Sequence, residues 1–142
     1  YLRGQLLGKG GFAKCYQFTD MESGQIWAGK VVAKSSLTKA RHKAKLQTEI
    51  KIHKALAHQC IVKIEEVFED KENVYLIMEL CENQTLLELV KRKKRLSEPE
   101  TRHFLTQLLH ACKYMHGVRV IHRDLKLGNL FLSSKCTMKV GD

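Results

Sequence analysis

The sequence predicts an α+β fold, with a small sheet first and a helical region after it. Three observations support this class. Short β-type runs are concentrated before Cys81, one helical repeat interrupts them, and the clearest helix start signal follows at Ser97. A length of 142 residues fits one domain, so the two regions are expected to form one domain together.

Five apolar runs predict the strands, because β-branched and aromatic residues fit a pleated, half-buried surface. They are Leu2 to Leu7, Ala13 to Phe18, Ile26 to Ala33, Ile61 to Phe68, and Val74 to Met78. Between the third and fourth runs, Leu46, Ile50, His53 or Lys54, and Ala57 recur at spacings of three or four residues. This modest amphipathic pattern predicts one helix, from about Lys39 to Ala57.

The helical region begins with a strong signal at Ser97-Glu98-Pro99-Glu100, which combines a Ser cap, a first-turn proline and a capping-box glutamate. The predicted helix runs to about His116 and is expected to be buried along its apolar face. That face consists of Phe104, Leu105, Leu108, Leu109, Cys112 and Met115. Two short strands, Leu130 to Leu132 and Met138 to Val140, are expected after it.

The charge balance raises the question of nucleic acid, since 25 Lys and Arg against 15 Asp and Glu leave a net charge of +10. The basic stretch from Lys34 to Lys63 contains no aromatic residue that could stack on a base. We interpret it, and the cluster from Lys91 to Arg95, as solvated faces. A nucleic-acid partner is therefore not expected. No membrane span is expected either, because the longest apolar run, Val74 to Met78, has five residues.

The cysteines indicate a reducing compartment. The five cysteines are an odd number and form no Cys-x-x-Cys pair, which favours free thiols. The chain also opens without an apolar signal region, so nothing in it predicts secretion. We expect an intracellular protein.

A glycine-rich segment, Leu7-Gly8-Lys9-Gly10-Gly11-Phe12-Ala13-Lys14-Cys15, joins the first two predicted strands. Glycines allow a phosphate to approach the backbone closely, so that amide hydrogens can point at the anion. A dinucleotide-binding loop would lead into a helix and a Walker loop would end in Gly-Lys-Ser or Gly-Lys-Thr, so neither fits. Taken alone, the segment is a weak signal and is better explained as a plain glycine-containing hairpin.

Lys30 ends an apolar strand, where an unpaired ammonium group would be costly to bury. Glu49, on the following helix, is the acid in the surrounding basic stretch. The sequence therefore predicts a Lys30–Glu49 ion pair, although each residue on its own is also compatible with simple exposure.

The most informative segment runs from Val120 to Leu132 and places Asp124, Lys126 and Asn129 in one loop. An aspartate there can accept or orient a hydroxyl proton, the lysine can neutralise a transferring phosphoryl group, and the amide can ligate a divalent metal. Asp142, after Val140-Gly141, is a candidate second metal ligand.

In this order the motifs resemble the catalytic domain of eukaryotic protein kinases over the whole chain. The resemblance implies a kinase-like fold with a complete five-stranded N-lobe and hinge at 1–81 and the start of a helical C-lobe at 82–142. It implies that Gly8 to Cys15 covers the ATP phosphates, that Lys30 holds them and that Glu49 positions Lys30. The nucleotide-binding residues would be Leu7, Gly8, Lys9, Gly10, Gly11, Phe12, Ala13, Cys15, Ala28, Lys30, Met78, Glu79, Cys81 and Phe131.

The resemblance also assigns roles around the nucleotide. Met78 would be the gatekeeper, Glu79 and Cys81 would bind the adenine edge through their backbones, and Phe131 would lie beneath the ring. Asp124 would be the catalytic base, with Asn129 and Asp142 ligating Mg²⁺. Lys126 is typical of the serine/threonine class.

Within the kinases, the segments Gly10 to Cys15, Glu79 to Cys81, Ser97 to Glu100 and His122 to Asn129 are similar to polo-like kinases. That subfamily implies Ser/Thr protein substrates, a role in the cell cycle, and a nuclear or cytoplasmic location including centrosome and spindle. Docking partners would bind a polo-box region that this chain does not contain. Because the sequence stops at Asp142, before the expected Phe-Gly, we expect a kinase fragment that transfers little phosphate by itself.

Two other functions remain open. A pseudokinase or scaffold would use the same fold for binding, but it would usually lack one of Lys30, Asp124, Asn129 or Asp142, and all four are present. A nucleic-acid-binding module is the third possibility, which steep salt dependence of binding would reveal.

Overall fold

The structure, a computed structural model, describes residues 1–141. Asp142, the predicted second metal ligand, lies outside the described residues. The chain divides into two compact units. The first unit contains Tyr1–Ala55 and Lys63–Leu80, and the second contains Leu56–Val62 and residues 81–141.

The first unit is an antiparallel sheet with one α-helix. Its elements are β1 (Leu2–Lys9), β2 (Ala13–Thr19), β3 (Ile26–Ala33), α1 (Ala40–Ala55), β4 (Ile64–Glu69) and β5 (Asn73–Met78). The strand order is β1-β2-β3-β5-β4, with every neighbouring pair antiparallel. Four of the five predicted strands and the predicted helix are therefore confirmed, the fourth strand is confirmed in its later part, and the fold is of the α+β class.

One face of this sheet has its own small core of Phe18, Val31 and Ile77, which Trp27 and Tyr75 help to cover. Gly29 is required there by close packing, because a Cβ at this position would lie 2.1 Å from Cδ2 of Phe18. The aromatic ring occupies the space that any larger side chain would need.

Helix α1 packs loosely, since none of its residues is buried. A groove of about 810 Å³ lies beside it, and its apolar lining residues are Leu37, Leu46, Ile50, Ala55, Val67 and Val74. The modest apolar repeat identified in the sequence thus lines an open groove instead of filling a core.

The second unit is mainly helical. Its elements are α2 (Leu86–Lys93), α3 (Glu98–Gly117), β6 (Leu130–Leu132) and β7 (Met138–Val140), with a 3-10 turn at Leu127–Asn129. The two short strands pair with each other and begin and end where the sequence predicts. Their side chains join α2 and α3 in one core, whose buried members are Cys60, Ile61, Leu86, Ala111, Met115, Leu130, Leu132, Met138 and Val140. No helix in residues 1–141 has the length and hydrophobicity to cross a bilayer.

Helix α3 starts as predicted and packs less completely than predicted. The Ser97 hydroxyl accepts the Glu100 N–H at 3.2 Å, and the Glu100 carboxylate accepts the Ser97 N–H at 3.1 Å. However, Leu105 and Leu109 are 49% and 58% exposed. The expectation of a helix buried along its whole apolar face is wrong, because only the side toward β6 and β7 meets the core.

The predicted strand from Ile61 to Phe68 is divided between the two units. Its later part is β4, whereas Ile61 forms a parallel bridge with Val140. The Val62 N–H donates to the Val140 carbonyl at 2.9 Å, and the Val140 N–H donates to Cys60 at 2.8 Å. Hydrogen bonding to β7 therefore draws this stretch into the second unit.

Candidate active site

The glycine-rich segment forms the tip of the β1–β2 hairpin. Gly8 lies opposite Cys15, and the Gly10 N–H donates to the Ala13 carbonyl at 2.8 Å. A Cβ built on Gly8, Gly10 or Gly11 would meet no atom within 4 Å. Packing within the chain therefore does not require these glycines, and the space around them is open to a ligand.

The strand register brings five of the fourteen predicted nucleotide-binding residues to one face of the sheet: Ala13, Cys15, Ala28, Lys30 and Met78. Cys15 lies opposite Lys30, and Ala28 lies opposite Met78. Directly opposed residues share a face, and so do residues two apart on one strand. Ala13, two residues before Cys15, belongs to this face as well. The core around Phe18 lies on the other face of the sheet.

The residues around the predicted hinge differ in exposure and bonding. Met78 is buried, while Leu7 is exposed at the end of β1. The Glu79 N–H donates to the Lys63 carbonyl at 3.0 Å, and the Glu79 carboxylate accepts the Lys63 N–H at 2.8 Å. A backbone contact from Glu79 to adenine would thus use its carbonyl. The roles of Glu79 and Cys81 stay predictions.

The predicted Lys30–Glu49 ion pair is not formed in this structure, in which both residues are described. Glu49 instead faces Lys45 on its own helix, with Oε1 3.9 Å from Nζ. The side chains of Lys45 and Glu49 are mostly exposed, as expected for a helix without buried residues. Because α1 packs so loosely, nothing in the first unit holds Glu49 toward β3.

The second unit places Asp124, Lys126 and Asn129 together, as the sequence predicts. The Asn129 side-chain N–H₂ donates to the Asp124 main-chain carbonyl at 2.9 Å and to its Oδ2 at 3.1 Å. The Lys126 ammonium lies 3.6 Å from the same Oδ2. The Asp124 side chain is 60% exposed, so the carboxylate is held on one side and open to a hydroxyl on the other.

His122 makes two hydrogen bonds that hold Asp124 and Gly141, although the motif did not assign it a role. Its Nδ1 accepts the Asp124 N–H at 3.1 Å, so the proton of the neutral ring is on Nε2. Nε2 then donates to the Gly141 carbonyl at 2.5 Å. The imidazole therefore joins Asp124, the predicted base, to Gly141. Its place two residues before Asp124 in the motif was the available signal.

Phe131 and Gly141 pack so tightly that only glycine fits. A Cβ on Gly141 would lie 2.3 Å from Cε2 of Phe131, and the Gly141 N–H donates to the Asn129 carbonyl at 2.8 Å. Phe131 is half-buried in this contact. Gly141 is thus fixed to Phe131 and Asn129 within the second unit.

The donor set fits a hard divalent cation. With Nδ2 of Asn129 donating to Asp124, its Oδ1 is the atom available for a metal. Residues 1–141 contain no cluster of three or more His, Cys, Asp or Glu side chains able to hold a metal. A cation here would therefore share a few protein oxygens with phosphate oxygens, as Mg²⁺ usually does.

A two-unit fold with a glycine hairpin, a strand lysine and this loop defines a phosphoryl-transfer domain. The protein kinase domain family matches residues 1–142, and the chain belongs to that family. Family membership implies ATP and a divalent metal.

Within the family, the chain is similar to polo-like kinases, which confirms the predicted resemblance. It is 52% identical over all 142 residues to serine/threonine-protein kinase PLK1 of Xenopus laevis and 53% identical to cell cycle serine/threonine-protein kinase CDC5/MSD2 of Saccharomyces cerevisiae. It is also 56% identical to the probable serine/threonine-protein kinase CCRP1 of Zea mays. The chain covers 24%, 20% and 23% of these proteins, about a quarter of their length or less.

Proposed function

We propose that the protein containing this chain is a serine/threonine kinase of the polo-like type, which transfers the γ-phosphoryl group of Mg-ATP to protein hydroxyls. The observation that carries the proposal is the arrangement of Asp124, Lys126 and Asn129. The Asp124 carboxylate accepts a hydrogen bond from the Asn129 side chain and lies beside the Lys126 ammonium group. More than half of the Asp124 side-chain surface remains exposed. A general base for a substrate hydroxyl needs these properties.

The first unit supplies the nucleotide-binding groups in this proposal. The sheet face with Ala13, Cys15, Ala28, Lys30 and Met78 accommodates ATP, and the open glycine hairpin gives its N–H groups to the phosphates. The Lys30 ammonium neutralises phosphate charge.

The second unit supplies the catalytic groups. Asp124 accepts the proton of the attacking Ser or Thr hydroxyl, and Lys126 stabilises the negative charge on the transferring group. Asn129, with Asp142, would hold Mg²⁺, which when bound neutralises charge on the phosphates.

We further propose that the substrates are proteins acting in the cell cycle and that the protein works in the nucleus and cytoplasm, including centrosome and spindle. Docking partners would bind through a polo-box region outside this chain. The support is the similarity to proteins named PLK1 and cell cycle kinase CDC5/MSD2.

The direct test is phosphate transfer by the protein that contains this chain. The purified protein is incubated with γ-labelled ATP, Mg²⁺ and an acidic protein substrate, and the labelled amino acids are then identified. We expect label on Ser and Thr, loss of label when Mg²⁺ is chelated, and loss in Asp124→Asn. Label on Tyr would contradict the class.

A non-catalytic binding module is the second candidate, because Glu49 faces Lys45 of its own helix. The same assay separates the two, since such a module would bind ATP without producing labelled substrate.

A further inference from the structure

The tip of the glycine hairpin has few contacts that could fix its position. Between β1 and β2, the Gly10 N–H donates to the Ala13 carbonyl, and Gly10 and Gly11 have open space around them. Phe12 at the tip is 69% exposed. A loop with so little packing is mobile unless a neighbouring element holds it.

Such an element is the first turn of α1. The Phe12 ring lies against the His42 imidazole, with ring centroids 6.1 Å apart and planes inclined by 35°. Tilted aromatic pairs at this separation attract each other. This ring contact joins the tip of the glycine hairpin to α1.

The His42 ring does not owe its position to hydrogen bonding. Its Nδ1 is buried and has no hydrogen-bond partner among the described residues, which is an unfavourable arrangement for a polar atom. The helix itself has no buried residue, so removing this ring should cost little global stability. The ring contact is therefore the feature of His42 that can matter for function.

The same helix carries Glu49, seven residues after His42. Residues seven apart lie on one face of an α-helix, about two turns from each other. A shift of α1 that moves Glu49 also moves His42 and, through the ring contact, Phe12. The position of the loop is thus linked to the position of the helix.

We infer that His42 is a positioning residue that fixes the glycine-rich loop over the ATP phosphates through its contact with Phe12. The inference rests on the proposed function, because it assumes that the loop covers phosphates. Its consequence is specific: loss of the His42 ring weakens the binding of phosphate-bearing nucleotides and leaves the binding of adenosine unchanged, since adenosine has no phosphate for the loop to contact.

The test compares ATP and adenosine binding to the protein that contains this chain, measured by calorimetry with Mg²⁺ present. We expect His42→Ala to raise the Kd for ATP by about 2- to 10-fold, the range for one aromatic pair, with the Kd for adenosine unchanged. KM for ATP should rise by the same factor while kcat changes less than about twofold. His42→Phe should restore ATP binding, because it keeps the ring.

The double variant Phe12→Ala with His42→Ala should bind ATP as well as the weaker-binding of the two single variants, because each single change already removes the same ring contact. Arg41→Ala is the matched control, an exposed neighbour on the same turn that should change nothing. Equal loss of ATP and adenosine binding, or failure of His42→Phe to rescue, would assign His42 a structural role and overturn the inference. Unchanged ATP binding in His42→Ala would overturn the inference about His42 but not the proposed function. A wild-type protein that binds no ATP would overturn both.

Discussion

The side-chain amide of Asn129 donates two hydrogen bonds to Asp124, one to its main-chain carbonyl and one to its carboxylate. The first bond fixes the loop that carries Asp124, and the second fixes the rotamer of the proposed base. Because both use Nδ2, the carbonyl oxygen of Asn129 points elsewhere and can serve a cation. One residue thereby links the orientation of the proposed base to the proposed metal site.

Replacing the proposed base should separate chemistry from binding. We expect Asp124→Asn to lower phosphoryl transfer by roughly 10²- to 10⁴-fold, the usual contribution of a general base. The Kd for ATP should barely change, since the carboxylate faces the hydroxyl. Single-turnover rates and calorimetry provide the measurements, with the exposed Glu82→Gln as a control. Near-normal turnover would remove Asp124 from its role.

The Lys30–Glu49 pair should form in the active state although it is absent from this conformation. Lys30→Met is expected to lower activity strongly and Glu49→Gln less strongly, and the two effects should be non-additive. Lys45→Ala removes the competing partner of Glu49 and should leave activity unchanged or raise it. The measurement is the steady-state kinetics of the three single variants and of the double variant Lys30→Met with Glu49→Gln. If the loss of activity in the double variant equals the product of the two single losses, Lys30 and Glu49 do not act as a pair.

Acid should remove the contribution of Glu100 to stability. A hydrogen bond from the Lys93 ammonium, followed by bonds from Ser97, lowers the pKa of the Glu100 carboxyl to about 2 from an ordinary 4.5. Because the folded-state pKa is the lower one, the contribution is present above about pH 4.5 and is lost as the pH falls toward 2.

Melting temperatures of wild type and Glu100→Gln, measured from pH 7 to pH 2.5, provide the check. The difference between them should be largest near neutrality and should shrink below about pH 4.5. A difference independent of pH would show that the carboxylate charge is not what stabilises the start of α3.

A methyl group at Gly29 should destabilise the sheet. Gly29→Ala places a Cβ against the Phe18 ring and should cost about 1 to 3 kcal/mol of unfolding free energy, as overpacking usually does. Gly117→Ala is the matched control, because a Cβ there meets no atom within 4 Å and alanine suits a helix end. Urea denaturation of both variants is the measurement, and equal midpoints would contradict the packing argument.

Much of the fold was predictable because its signals are local. The sequence predicts the bounds of β3, β6 and β7 correctly, and the capping box at Ser97 marks the start of α3. The glycine hairpin and the loop from His122 to Asn129 were also predictable as motifs. Their functional side chains are close in sequence, so short-range geometry brings them together.

The differences arise where partners distant in sequence decide the structure. Hydrogen bonds to Val140 draw Ile61 away from β4, and no local signal at Ile61 indicates this. The contact of His42 with Phe12 joins residues 30 positions apart on different elements. Glu49 faces Lys45 because α1 packs loosely, and the sequence pattern cannot show how closely a helix packs.

The bridge between Ile61 and Val140 also sets an order of events during synthesis. The strands of the first unit are all complete once Met78 has been made, whereas segment Leu56–Val62 obtains its partner strand only about 60 residues later. At roughly 5 to 20 residues per second, a ribosome leaves that segment unpaired for several seconds. We therefore expect a released chain truncated near residue 80 to protect the sheet from protease while remaining cleavable at 56–62.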